Sequence, residues 1–354
     1  MLQPRIPIRN YYYLLCYAWD QLEQGKAVDV QRCPITRLVD LYALVLCDGI
    51  KHLARRGLER GYELHSDELA SLRGRIDVFG SVRRLLPMRG RAVCEFDELT
   101  VNTLNNQILK ATLSLLARST ELDQVLKKEV TACLRGMAGV ADQELSVTLF
   151  RRVQLHSNNR FYRFLLNVCE LIVNSHQVDS NAGPSKFRDF DRDEKAMARM
   201  FERFLFNFIR REVPGTTVKR EQIGWQAESP SDPDLSLLPS MNTDISVRKG
   251  RTRLIIDAKY YRNTLSSYRE SEKLHSTNLY QLMSYLNNAG TDTADTLKGM
   301  LIYPKVDKPV RQMYVIQGHP VFIGTLDLSQ EWQAIHQELL KLTEWGLADG
   351  LLVG

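Results

Sequence analysis

One stretch, residues 243–259, constrains the fold of this chain more than any other; it reads Thr-Asp-Ile-Ser-Val-Arg-Lys-Gly-Arg-Thr-Arg-Leu-Ile-Ile-Asp-Ala-Lys. Two strand-like runs flank Gly250 and Arg251, the pattern of a β-hairpin with glycine where a tight turn needs positive φ. A two-residue turn at that point sets Asp244 directly opposite Asp257, and any even-length loop with the same centre keeps the pairing. Side chains alternate along a strand, so Asp257 and Lys259 share one face while Ile256 and Ala258 share the other. Two carboxylates and an ammonium group therefore converge on one patch. Like charges about 5 Å apart across a strand pair repel unless something neutralises them. A divalent cation does so naturally: magnesium takes one or two carboxylates plus waters and phosphate oxygens, and it activates water for attack on a phosphodiester. A lone Asp-x-Lys on a strand is ordinarily a surface ion pair; the aspartate on the partner strand is what makes this a candidate site.

Downstream, Asn278-Leu-Tyr-Gln-Leu-Met-Ser-Tyr285 reads as a helix on which Gln281 and Tyr285 stand at i and i+4. In the functional reading both face the carboxylates and contact the substrate backbone. In the plainer one, Tyr280, Leu282, Met283 and Leu286 form the core face and Gln281 is an ordinary surface residue. His275, just ahead of this helix, is a phosphate contact in the first reading and a cap or surface residue in the second.

The hairpin and helix belong to a C-terminal α/β arrangement. An amphipathic helix with Met197, Phe201, Phe204, Leu205 and Phe208 on one side precedes strand signals near Val218, 223–225, 243–247, 253–259 and 300–303. The N-terminal part has another character. Helical spacing at 11–19 and 37–58, the latter closed by Gly57, gives way to short strands between Gly61 and Leu99, and helical spacing returns at 104–137 and 160–174. These later helices are expected to pack on the first pair. Residues 176–193, rich in Ser, Asn, Asp, Gly and Pro, read as a linker. The expected division is thus 1–180, an α+β region of helices with a small β-rich module at 61–99, followed by 181–354, the α/β domain.

Charge separates the two parts. Of 47 Lys and Arg against 42 Asp and Glu, residues 1–187 hold 25 and 20, whereas 188–354 hold 22 and 22. The formal +5 therefore lies in the N-terminal part, with ten basic and five acidic side chains at 51–91. Such a run is either a solvated face or an arginine-rich contact surface. The six cysteines show no Cys-x-x-Cys spacing, which argues against a zinc ribbon and for reduced, buried thiols. No apolar run approaches the roughly 18 to 20 residues that span a membrane, and the start of the chain lacks a secretory layout, so a cytoplasmic location is expected.

The series Asp244, Asp257-x-Lys259 and Gln281-x-x-x-Tyr285 resembles the PD-(D/E)xK nuclease superfamily, with Thr243 where a proline usually precedes the first aspartate. More narrowly, Leu254-Ile-Ile-Asp-Ala-Lys-Tyr-Tyr261 and Asn278 to Leu286 resemble the McrC family, nuclease subunits of McrBC restriction enzymes specific for modified cytosine. Ile6-Pro-Ile-Arg-Asn-Tyr-Tyr-Tyr, Leu72-Arg-Gly-Arg-Ile76 and Thr103-Leu-Asn-Asn-Gln-Ile-Leu-Lys110 extend the resemblance along the chain.

The resemblance implies a restriction-endonuclease-like fold for the second domain and a magnesium-dependent endonuclease that acts on double-stranded DNA near modified cytosines. Asp244, Asp257 and the Ala258 carbonyl would hold the metal, Lys259 would be the catalytic lysine, and Gln281 and Tyr285 would support substrate. It further implies an McrB-like AAA+ GTPase hexamer as partner, stimulated by this chain, which itself binds no GTP; no Gly-x-x-x-x-Gly-Lys-Ser/Thr loop is present. Self-association is implied where translocation brings two complexes together. The 61–99 module is the candidate ring contact, through Arg73, Arg75, Arg83 and Arg84. Glu202, on the helix before the nuclease core, is left outside the site, since its helix could equally present it to solvent. The alternatives are a non-catalytic assembly and GTPase-activating subunit with an inactive nuclease fold, and a plain DNA-binding module. The intact acidic and lysine set argues against the former, and the balanced charge of 188–354 against the latter.

Overall fold

A computed structural model describes residues 6–25, 28–30, 35, 37–155, 159–177, 194–260, 266–268, 271–273, 275–290, 296–306 and 308–348. In chain order the helices and strands are α1 (Ile8–Ala18), α2 (Leu22–Gly25), α3 (Leu38–Arg56), β1 (Gly61–Leu69), β2 (Arg75–Asp77), α4 (Val78–Arg83), β3 (Ala92–Thr100), α5 (Leu104–Arg118), α6 (Gln124–Arg135), α7 (Val147–Phe150), α8 (Arg160–Gln177) and α9 (Glu194–Glu212). Then follow β4 (Thr217–Lys219), β5 (Gln222–Ile223), β6 (Met241–Asn242), β7 (Ile245–Lys249), β8 (Thr252–Ala258), β9 (Ser266–Tyr268), β10 (Ser271–Lys273), α10 (Ser276–Asn288), β11 (Thr296–Pro304), β12 (Arg311–Ile316), β13 (His319–Leu326) and α11 (Trp332–Leu347).

Packing divides the chain into two units. One gathers 1–26, 33–38 and 189–354; the other holds 27–32 and 39–188. The linker expected at 176–193 lies, from residue 178 onward, outside the described residues.

In the first unit a six-stranded mixed sheet runs β12-β13-β11-β8-β7-β4. Its centre is parallel, β8 with β11 and β11 with β13, and the remaining pairs are antiparallel. Both faces are covered, which is why nearly every residue of β8 and β11 is buried, polar Thr252, Asp257 and Lys298 included. On one face Ile255, Leu301, Tyr303 and Ile323 meet Leu282 and Leu286 of α10. Gly299 lets α10 come close: a Cβ there would stand 2.8 Å from Leu286. On the other face α11 approaches through Gly346, against Met300 and Leu254.

Helix α1 departs from the expected division. Its sequence position suggests the N-terminal helical region, yet it packs on α9 and α11. Asn10 donates to the carbonyls of Leu328 (2.9 Å) and Gln330 (2.7 Å), Tyr17 donates to Glu212 (2.8 Å), and Asn207 of α9 donates to the Tyr17 carbonyl (2.8 Å). Tyr13 stacks on Trp332 with ring centres 4.7 Å apart. The aromatic side of α1 is satisfied by residues some 190 to 320 positions away, a pairing that local periodicity cannot reveal.

The second unit is a helical body carrying the expected β-rich module. Helix α3 packs against α8, where Gly49 leaves room for Leu165. The module is a three-stranded antiparallel sheet, β1-β3-β2, followed in sequence from β2 by α4 and a short 3-10 turn at Leu86–Arg89. It adjoins a polar knot. The Glu59 carboxylate accepts from Thr103, Asn105 and Asn159, while Asn106 donates to the Glu59 and Val101 carbonyls and accepts from Tyr162. The five cysteines among the described residues are buried and unbridged; Cys33 lies outside them.

Candidate active site

The hairpin forms with the short turn that its sequence suggests. Lys249 pairs with Thr252 and Ile245 with Ile256, leaving Gly250 and Arg251 as the loop, and Gly250 adopts φ +56°. One further step in this register sets Asp244 opposite Asp257. Asp244 Oδ2 accepts the Ala258 N–H at 3.0 Å, tying the aspartate to the end of β8. Thr243, in the position where proline is usual, is held by the Glu221 backbone: its N–H donates to the Glu221 carbonyl (2.9 Å) and its hydroxyl accepts the Glu221 N–H (3.0 Å).

Asp257 is fully buried, and its Oδ1 receives no hydrogen bond. Lys259 Nζ stands 3.0 Å from Oδ2 as an ion pair. Burial pushes the Asp257 carboxyl up to about 7; Lys259 opposes the shift and Asp244 adds to it. Burial also raises the Asp244 carboxyl, against the lowering effects of the Ala258 N–H, Lys259 and Arg220.

The lysine is positioned from α10. Its Nζ donates to Gln281 Oε1 (3.0 Å), Gln281 Nε2 donates to the Tyr285 hydroxyl (2.6 Å), and Tyr285 donates to the Asn242 carbonyl (2.9 Å). Gln281 and Tyr285 thus stand with Lys259, as the i, i+4 spacing suggests, and anchor it to the strand leading into the hairpin. One detail differs from the plainer reading and one agrees with it. Tyr280 is 69% exposed and so is no part of the core face, because α10 buries the stripe through Asn278, Leu282, Met283, Tyr285 and Leu286. His275 takes the N-cap position of α10 without a side-chain cap bond.

Glu202 of α9, left outside the site by the sequence reading, belongs to the same constellation. Burial raises its carboxyl, Asp244 adds to the rise, and Arg220 and Lys259 lower it. Arg220 donates to it directly. The sequence signal is slight: Glu202 lies three residues before buried Leu205, at the edge of the apolar stripe of α9.

Among the described residues no three His, Cys, Asp or Glu side chains form a metal cluster by themselves. Magnesium needs no such cage. Two carboxylates beside a backbone carbonyl suit its preference for few protein oxygens plus water, and the buried Asp257 Oδ1, which receives no hydrogen bond, is what a cation would satisfy.

The four arginines expected to bind the partner belong to the β-rich module of the second unit. The Arg73 guanidinium lies 4.4 Å from the centre of the Phe96 ring, and Arg84 pairs with Glu68 at 3.1 Å. Arg75 and Arg83 are exposed. Around them the module displays apolar side chains: Tyr62, Leu64, Phe79, Leu85 and Met88 are each at least 62% exposed.

Residues 10–304 match the family described as McrBC 5-methylcytosine restriction system component. A curated relative from Escherichia coli (strain K12), the type IV methyl-directed restriction enzyme EcoKMcrBC, is 39% identical over 342 residues, covering 97% of this chain and 98% of its own. Among solved structures, the half-complex of Thermococcus gammatolerans McrB AAA+ hexamers with bound McrC contains a chain of similar fold. Its TM-score is 0.62 at 19% identity, over 96% of this chain and 75% of that one.

Proposed function

The chain belongs to the McrC family of McrBC restriction-system components, and we propose that it is the subunit that cuts DNA. Its first unit is a PD-(D/E)xK endonuclease domain that hydrolyses phosphodiester bonds in double-stranded DNA near modified cytosines, in the cytoplasm. It works with an McrB-like AAA+ hexamer, whose GTPase it stimulates and which alone uses GTP. One observation carries the nuclease reading: Asp257 is fully buried, with Oδ2 ion-paired to Lys259 and Oδ1 without a hydrogen bond, in register with Asp244. A fold with no use for charge there would gain by replacing the group.

Asp244, Asp257 and the Ala258 carbonyl are the groups that would hold magnesium. Once bound, the ion would supply an acidified water and offset charge on the phosphate. Lys259 keeps an ammonium group at the site, a preorganised donor for the oxygen on which charge develops. Gln281, anchored through Tyr285, fixes where that ammonium sits. Glu202, held by Arg220, adds negative charge on the Asp244 side.

The β-rich module is the ring contact. Its exposed apolar side chains indicate a surface that is completed by another protein, with Arg73, Arg75, Arg83 and Arg84 at its margin. Leu85 strengthens this reading, since it takes φ +55° while 62% exposed, a strained backbone presenting an apolar side chain to water.

The test mixes the purified chain with its cognate GTPase, magnesium, GTP and DNA carrying or lacking cytosine methylation. Fragments are expected only when all components and the modified DNA are present. Equal cutting without the GTPase, or no cutting under any condition, overturns the proposal.

A further inference from the structure

Helix α6 carries a basic face that neither the nuclease site nor the ring contact uses. Gln124, Lys127, Lys128, Thr131 and Arg135 line one open groove of about 330 Å³. Their spacing of three, one, three and four residues places them on a single side of the helix. From Gln124 to Arg135 that side rises about 16 Å, close to the axial rise of five base pairs.

The acidic residues of the helix and its cap are committed elsewhere. Glu129 pairs with Lys51 of α3 at 2.6 Å. Asp123 caps the helix, accepting from the N–H groups of Val125 (2.8 Å) and Leu126 (3.3 Å). On the groove side Lys127 reaches only the Ser119 carbonyl, at 3.4 Å, and Thr131 turns its hydroxyl to the Lys127 carbonyl. Among the described residues Lys128 and Arg135 have no acidic partner. Three cations thus share a concave face without neutralisation, an arrangement that self-repulsion disfavours unless an anion is to be met.

We infer that this face of α6 is a phosphate-tracking site for duplex DNA. It is non-specific in sequence, because it offers ammonium, guanidinium and hydroxyl groups but no forked pair set to read a base edge. The sheet-bearing half of the chain, with 22 basic and 22 acidic residues, has no net charge with which to hold a polyanion. The α6 face supplies that attraction from the other unit of the same chain. The inference rests on the nuclease reading, for it names where the substrate backbone is held.

The experiment reverses charge on the complete chain (Lys127→Glu, Lys128→Glu, Arg135→Glu) and reconstitutes it with the GTPase ring. Binding to unmodified duplex DNA is titrated between 50 and 200 mM salt, on the order of the physiological range. The expected result is affinity roughly tenfold lower at the upper end and a salt slope shallower by about two to three. GTPase stimulation and circular dichroism should match the unaltered protein. An unchanged affinity and slope overturns the inference, as does loss of ring assembly with DNA affinity intact, which would assign the face to a protein partner. Failure of the nuclease reading looks different: the unaltered complex would bind DNA and leave it uncut.

Discussion

The β7–β8 hairpin and the β1-β3-β2 module are both small antiparallel arrangements with charged side chains in their sequences, and they treat polarity in opposite ways. In the hairpin a carboxylate is fully buried and the aliphatic residues of β8 lie around it. In the module, Tyr62, Leu64 and Phe79 face solvent while the arginines are spread among them. Burying a charge is costly unless it has a use, and exposing a large apolar surface is costly unless something covers it. On the proposed reading the two regions are unfinished in complementary senses: one would take a cation, the other a protein surface. On that reading electrostatics would decide the chemistry and apolar contact the assembly, which reverses the weight that charge counting along the sequence gives to the arginines.

The sharpest way to separate the two regions is Asp257→Ala. DNA cleavage should fall by a factor on the order of 10³, the loss of several kcal/mol of transition-state stabilisation, while GTPase stimulation stays within twofold, or about 0.4 kcal/mol. Cleavage at the unaltered rate would remove the metal-site assignment. Next in size is the combined change Phe79→Glu and Met88→Glu. Ring affinity, read from titration of GTPase stimulation, should weaken on the order of 30-fold, as for loss of a central apolar anchor. Arg75→Ala with Arg83→Ala should cost less than about tenfold at physiological salt, because rim charges contribute little once screened. A larger effect of the arginine pair would break the comparison and restore charge as the basis of assembly.

The smallest effect concerns stability. The Asp257 carboxyl titrates near 7 when folded against 3.8 unfolded, so between these values the unfolded chain releases its proton first. Folding is therefore disfavoured progressively as pH rises from about 4 to 7, with the full penalty above 7. Without divalent cations, Asp257→Asn should raise the melting temperature by a few degrees at pH 8 and leave it nearly unchanged at pH 4. Equal shifts at both pH values would show that the gain comes from something other than the buried charge.

Much of the candidate site's geometry is legible in the sequence because it is local. The two-residue turn fixes the register, register fixes which carboxylates face one another, and the helical i, i+4 relation brings Gln281 and Tyr285 to the same side. What was not legible depends on distant chain. Nothing near α1 announces that Asn10 will bond the Leu328 and Gln330 carbonyls, and nothing near Glu202 announces Arg220 or Asp244. The exposure of the module was hidden for another reason. Its strands and their spacing are readable, but alternation along a strand does not say which face the rest of the fold will cover.

The pairing of α1 with α9 has a consequence for how this protein comes into being. Asn207 and Tyr17 are 190 residues apart, so at about 5 to 20 residues per second the ribosome releases α1 some 10 to 40 s before the helix it needs. During that interval Tyr13 and Tyr17 lack their seat, and β8 with its aspartate and lysine has yet to be made. The candidate site is thereby completed only late in synthesis, since the scaffold closes when late sequence comes back to early sequence.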